Sequence, residues 1–169
     1  MIIFAKQKIV LADVDSDINA SSEELAGVIV QRLGLMPRKR GSTEKMNLVL
    51  IELYERAKEA SRRKEPKRAL MSVEDMAFFA GITRQTMYDY IKRWISLDLI
   101  TKTSYIDDKN KVVIGYKLNG NTLEQAFEKA RQRISNNLDL TLKYIRELQK
   151  TLKNEKISKS IKEKEQHEN

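Results

Sequence analysis

The chain has 169 residues, with 32 Lys and Arg against 24 Asp and Glu, no cysteine and one histidine. Disulfides and thiolate metal sites are therefore excluded, and His167, in a polar tail, offers little to a Ser-His-Asp triad or a His-rich metal site. No enzyme chemistry and no cofactor is expected. No apolar run approaches the roughly 18 residues that a membrane helix needs.

Charge is unevenly spread. Residues 1–36 carry 3 cationic and 5 acidic side chains, residues 37–121 carry 18 and 11, and residues 122–169 carry 11 and 8. The cationic excess falls on the middle segment, as expected of a segment that faces a polyanion. Lys6 and Lys8 interrupt the first residues, which lack the profile of a secretory signal. A cytoplasmic, nucleoid-associated protein with no membrane partner is expected.

Ile2 to Ala12 is rich in Ile and Val and reads as a strand. Asp13-Val-Asp-Ser-Asp17 reads as a turn, since its alternating carboxylates lack the glycine and distal glutamate of a calcium loop. Ser21 and Glu24 fit a capping box, Leu25, Val28, Ile29 and Leu33 follow at helical spacing, and Gly34 ends the run. Residues 1–36 thus form a small strand–helix extension. Pro37-Arg-Lys-Arg-Gly41 is a basic connector.

From Ser42 the spacing of Met46, Val49, Leu50, Leu53, Tyr54 and Ala57 predicts a helix that Pro66 must break. Arg62, Arg63, Lys67 and Arg68 flank the break. They read either as solvated linker or as phosphate anchors.

Ser72 and Asp75 open the next helix as cap and capping partner, and Met76, Ala77 and Ala80 give it a buried side. Gly81 supplies a left-handed turn, Ile82 fills the corner, and Thr83 caps a second helix. Met87, Tyr90, Ile91 and Trp94 share one face of that helix. Arg84, Gln85, Thr86, Tyr88, Asp89, Lys92 and Arg93 occupy the other. Small Ala77 lets the two helices approach, and Met87, six residues beyond the glycine, fills the space between them.

Ala77-x-x-x-Gly81-Ile82-x-x-x-x-Met87 resembles the helix-turn-helix pattern, and Gly81-Ile-Thr-Arg-Gln-Thr-Met-Tyr88 resembles recognition-helix openings of bacterial and archaeal regulators. Ile100 to Ile106, a turn at Asp107-Asp-Lys-Asn110, and Lys111 to Leu118 then read as a hairpin. Helix, turn, helix and hairpin is the order of a winged helix, expected over residues 42–120. The expected fold is mainly α with a small β-hairpin. Lys109 and Lys111 sit near the tip of the wing, beside Asp107 and Asp108, which would repel phosphate unless they serve the turn itself.

The order of elements resembles archaeal winged-helix regulators, including those related to the MarR group, and is also similar to activators of archaellum operons. That resemblance implies double-stranded DNA as partner, and work beside basal transcription factors. Arg84, Gln85, Tyr88 and Asp89 would face base edges, while Thr86, Lys92 and Arg93, with the caps Ser72 and Thr83, would fix register at the backbone. The function expected is sequence-specific transcription regulation. An architectural nucleoid, partition or replication-origin protein with the same head and low specificity is the alternative.

Asn121 and Glu124 read as a further helix start, and helical spacing then extends to about residue 152. Leu123, Phe127, Ile134, Leu138, Leu142, Ile145 and Leu152 form its apolar side, with eleven-residue steps that favour a nearly straight seam. A helix this long, over 121–154, is expected to pair with its copy in a homodimer. Residues 155–169 are highly charged and read as a disordered tail.

Overall fold

The computed structural model describes residues 8–35 and 45–168, and the chain divides into two compact units, Met1–Arg131 and Gln132–Asn169. The architecture is mainly helical, with one two-stranded antiparallel hairpin and a long C-terminal helix.

In the first unit, α1 spans Ser22–Arg32 and opens on the expected box: Glu24 N–H donates to Ser21 Oγ, and Ser21 N–H donates to the Glu24 carboxylate. Residues 8–12 are not a strand. They are tied back where Ala12 N–H donates to the Arg32 carbonyl at 2.9 Å, and the rest of the expected strand, 2–7, lies outside the described residues. With no second strand beside it among the described residues, an Ile- and Val-rich run has nothing there to pair with. The basic connector 37–41 also lies outside the described residues.

Helix α2 (Met46–Arg63) buries Met46, Val49, Leu50, Leu53, Ala57 and Ala60 along one side. It ends on Lys64 in the left-handed conformation, and Pro66 begins a 3₁₀ turn over Pro66–Ala69. Proline is favoured there because the first turn has no use for its missing N–H. Helix α3 (Val73–Ala80) starts on the reciprocal Ser72–Asp75 box and packs Met76, Ala77 and Ala80 inward.

Helix α4 (Arg84–Ser96) contributes Met87, Tyr90, Ile91 and Trp94 to the same core. Trp94 is fully buried, and its Nε1 has no hydrogen-bond partner among the described residues.

Strands β1 (Ile100–Ile106) and β2 (Val112–Leu118) pair from Ile100 opposite Leu118 to Ile106 opposite Val112. Ile100, Tyr116 and Leu118, at the open end, are buried against the helices. Gly115 lies where β2 crosses Leu70; a Cβ there would come within 2.9 Å of the Leu70 Cβ. A bridge between Met71 and Tyr116 makes the joint firm, each N–H donating to the other carbonyl at 2.8 Å.

Helix α5 runs from Leu123 to His167, 45 residues. Two sequence-based boundaries are corrected here. Its cap is Thr122, whose Oγ1 accepts from Gln125 N–H, while Gln125 Oε1 accepts from Asn121 N–H, one residue later than the Asn121–Glu124 pair. Its end is also not near Asn154: the segment 155–167 is helix, because it holds no Gly or Pro and is rich in Lys and Glu, good helix formers. Ala126 and Ala130 are fully buried in the first unit. From Leu138 onward, in the second unit, every described residue is exposed.

Candidate nucleic-acid interface

Gly81 stands at the corner between α3 and α4 with φ +69, the left-handed region that glycine adopts without strain. Its N–H donates to the Phe78 carbonyl and that of Ile82 to the Ala77 carbonyl, so the last carbonyls of α3 are satisfied inside the turn. Thr83 then caps α4: its Oγ1 accepts from Thr86 N–H at 3.2 Å and lies 2.9 Å from Thr86 Oγ1. With both helix ends closed locally, the four apolar side chains of α4 fix which face turns outward.

That outward face carries Arg84, Gln85, Tyr88, Asp89 and Lys92, all exposed, with Arg93 half-buried. Arg84 is held rather than free. Its Nε lies 3.1 Å from a Glu74 carboxylate oxygen, its Nη2 donates to the Tyr88 hydroxyl at 3.2 Å, and its guanidinium stands 5.7 Å from the Tyr88 ring centre. The Tyr88 hydroxyl, and then the Glu74 charge, hold the guanidinium above the ordinary arginine range. Arg93 stacks on Tyr90, its guanidinium 5.5 Å from the ring centre. Ser72 is spent on its own capping box.

The basic residues around the break after α2 are also occupied. Arg62 and Arg63 both pair with Glu59, whose carboxyl they hold below its usual range, and Arg68 pairs with Glu65. Lys67 sits 5.0 Å from the centre of the Tyr105 ring and so braces the hairpin. These cations are exposed, yet much of their charge is answered by a carboxylate on the same segment. As phosphate anchors they are weaker than a count of basic residues implies.

At the hairpin tip, Asp107 Oδ1 accepts from both Lys109 N–H and Lys111 N–H at 2.9 Å, and Asn110 takes a left-handed conformation. Asp107 is a turn residue of the kind that closes short loops. The side chains of Lys109 and Lys111 project from the same turn into solvent. On one face, Ile106, Val112 and Ile114 remain 64%, 69% and 45% exposed.

Arg56 was not singled out by sequence. It is half-buried on α2, donates through Nε to Glu52 at 2.8 Å, and through Nη1 to the Leu70 carbonyl at 2.9 Å and to Asp75 at 3.3 Å. One guanidinium thereby ties α2 to the start of α3. Its position among apolar neighbours one turn from Glu52 was a legible signal of an internal pair.

Of the expected pairing positions on α5, Leu123 and Ile134 are half-buried and Phe127 is 40% exposed. Leu138, Leu142, Ile145 and Leu152 are 44–63% exposed and form a stripe in the second unit. Leu138, Ile145 and Leu152 stand seven residues apart with Leu148 between the last two, so a heptad lies within the stripe, interrupted at Thr141. Arg146 and Lys153 flank the stripe beside Leu142, and Lys143 and Lys150 lie farther round the helix.

A comparison with models of known protein families finds none that matches this chain, and none of the curated proteins compared with it matches either. Among the described residues no cluster of His, Cys, Asp or Glu is arranged to hold a metal ion, and no helix is long and apolar enough to cross a membrane.

Proposed function

We propose that this chain is a sequence-specific DNA-binding transcription regulator, a winged helix-turn-helix with α3 and α4 as the helix pair and the β1–β2 hairpin as the wing. One observation carries the reading. A glycine corner joins two capped helices, and the second turns Met87, Tyr90, Ile91 and Trp94 inward while presenting Arg84, Gln85, Asp89 and Lys92 outward. Such a face suits a major groove: arginine bonds guanine bidentately, and glutamine does the same for adenine. Lys92 and the tip lysines 109 and 111 would meet phosphates.

In this reading the chain acts as a homodimer through the α5 stripe, which offers two equivalent half-sites to an inverted repeat. The test is fluorescence anisotropy on duplexes selected from a random pool. Arg84→Ala and Gln85→Ala are expected to lose preference for the selected sequence, and equal weakening on all duplexes refutes the reading.

The Arg84–Glu74 pair favours a second reading. A guanidinium engaged by a carboxylate and a phenol reads bases less readily, and an architectural protein of low specificity needs only backbone contacts. The two readings separate on specificity: a ratio of about a thousand or more between selected and scrambled duplex marks the regulator.

A further inference from the structure

We infer that the corner where α3 meets α4 binds an unpaired nucleic-acid base, stacked on the ring of Phe78. The inference rests on the reading of this unit as nucleic-acid binding and adds single strands to its ligands. Phe78 is 81% exposed, more than any other aromatic side chain among the described residues. It stands on the side of α3 away from Val73, Met76, Ala77 and Ala80, which pack inward. Its ring is nevertheless fixed in direction. Half-buried Phe79 meets it edge to face, with ring centres 5.7 Å apart and planes at 83°. A ring braced in this way gives up little rotamer freedom when a ligand covers it.

Two further flat groups stand nearby. Glu74 lies one turn before Phe78 on the same face of α3, and Arg84 reaches across from α4 to Glu74. The Arg84 guanidinium in turn stands 5.7 Å from the Tyr88 ring centre. Phe78, Arg84 and Tyr88, all exposed, thus mark one edge that runs from α3 onto α4. Aromatic rings and guanidinium planes are the surfaces on which splayed bases stack.

The charges around the ring suit a phosphodiester strand. The carboxylates of α3 are answered locally, Glu74 by Arg84 and Asp75 by Arg56. Lys45 adds a cation: it is exposed, and its N–H donates to the Ala80 carbonyl at 2.9 Å, which puts it at the end of α3 two residues beyond Phe78.

This polar setting decides the occupant. A protein groove deep enough to enclose Phe78 would also take Glu74 and Arg84 out of water, at a cost that one apolar ring does not offset. A stacked base covers the ring face alone, leaves both charged groups hydrated at its edge, and turns its phosphate toward the cations. Bases within a duplex are stacked on one another and offer no free face, so the ligand is a single strand or a locally opened duplex.

The test uses the full-length protein and fluorescence anisotropy at one salt concentration, with three probes: oligothymidylate, an abasic strand of the same length, and the duplex selected for α4. Oligothymidylate is expected to bind about tenfold or more tighter than the abasic strand, which keeps the phosphates and lacks the bases. Phe78→Ala should remove most of that difference and leave duplex binding unchanged, and Phe78→Trp should restore it. Because Phe78 takes no part in the core, unchanged duplex binding also shows that the variant is folded. Equal binding of the two strands overturns the assignment, as does a Phe78→Ala protein that weakens duplex and single strand alike. Oligothymidylate affinity unchanged in Phe78→Ala overturns it too, and leaves the ring to a protein partner. A parent protein that binds the selected duplex but not oligothymidylate refutes this inference alone, whereas one that binds neither refutes the DNA reading as well.

Discussion

Arg84, the first residue of α4, reaches back to Glu74 on α3, Nε to carboxylate oxygen 3.1 Å, so the leading cation of the proposed reading face is already engaged before any ligand arrives. Both side chains are more than half exposed, and exposed pairs of this kind contribute about 0–1 kcal/mol to stability. The pair therefore weighs on binding more than on folding. Glu74→Gln is expected to leave the melting temperature nearly unchanged and to raise DNA affinity severalfold at low salt, with the gain fading as salt rises. Anisotropy across a salt series measures both. No gain at any salt concentration would show that Arg84 does not meet DNA.

The hairpin tip depends on Asp107, which accepts two backbone N–H bonds. Asp107→Ala removes both and should cost about 1–2 kcal/mol, with loss of amide protection confined to the tip. Asp107→Asn keeps an acceptor and should recover most of the loss. Hydrogen exchange at Lys109 and Lys111 is the measurement, and protection unchanged in Asp107→Ala contradicts the turn role.

Trp94 combines full burial with an N–H that has no partner among the described residues. Trp94→Ala should cost about 3–5 kcal/mol through the cavity it leaves. Trp94→Phe loses less volume and also removes the orphaned donor, whose burial costs about 1–3 kcal/mol. The two terms oppose, so the net change for phenylalanine should stay within about 1.5 kcal/mol. Urea unfolding of the two variants decides it, and equal losses would mean that the indole N–H is satisfied.

Burial raises the Tyr116 hydroxyl above its usual value of 10.0, with a smaller contribution from Tyr88. The folded chain therefore keeps this proton where the unfolded chain releases it. The stabilisation is complete below pH 10 and is lost as pH rises from there through the folded value. Tyr116→Phe should flatten the fall in stability above pH 10, measured by denaturation at pH 9 and pH 11. An identical fall in both proteins rules out this source.

The stripe on α5 gives a prediction about assembly. Ile145 is 49% exposed at the centre of a heptad run, so Ile145→Lys places a charge in the proposed seam. The variant should sediment as a monomer with the melting of the first unit unchanged. A truncation to test the same point belongs after Arg131, since cutting after Leu123 would remove the buried Ala126 and Ala130.

Local chemistry was legible wherever it is self-contained. The boxes at Ser21 and Ser72, the Gly81 corner, the Thr83 cap, the apolar face of α4 and the Asp107 turn all rest on residues within a few positions of one another. What escaped depends on distant or missing partners. The run before Ala12 has strand-like composition but no neighbouring strand among the described residues, and composition does not show this. The tail after Asn154 looked too charged to order, yet nothing in it breaks a helix. Charge counting located the basic middle segment but not its internal neutralisation: Arg62–Glu59 and Arg68–Glu65 are one-turn pairs that the spacing offers, whereas the Arg84–Glu74 pair needs side-chain positions.

The central claim is that α4 reads DNA sequence through Arg84 and Gln85. The most direct measurement is the ratio of dissociation constants for a selected duplex and its scrambled counterpart, in the parent protein and in Arg84→Ala and Gln85→Ala. The account predicts a ratio of about a thousand or more in the parent. Each variant should lose about 1–3 kcal/mol on the selected site, with little change on the scrambled one. A parent ratio near one, or variants that weaken both duplexes alike, would contradict it.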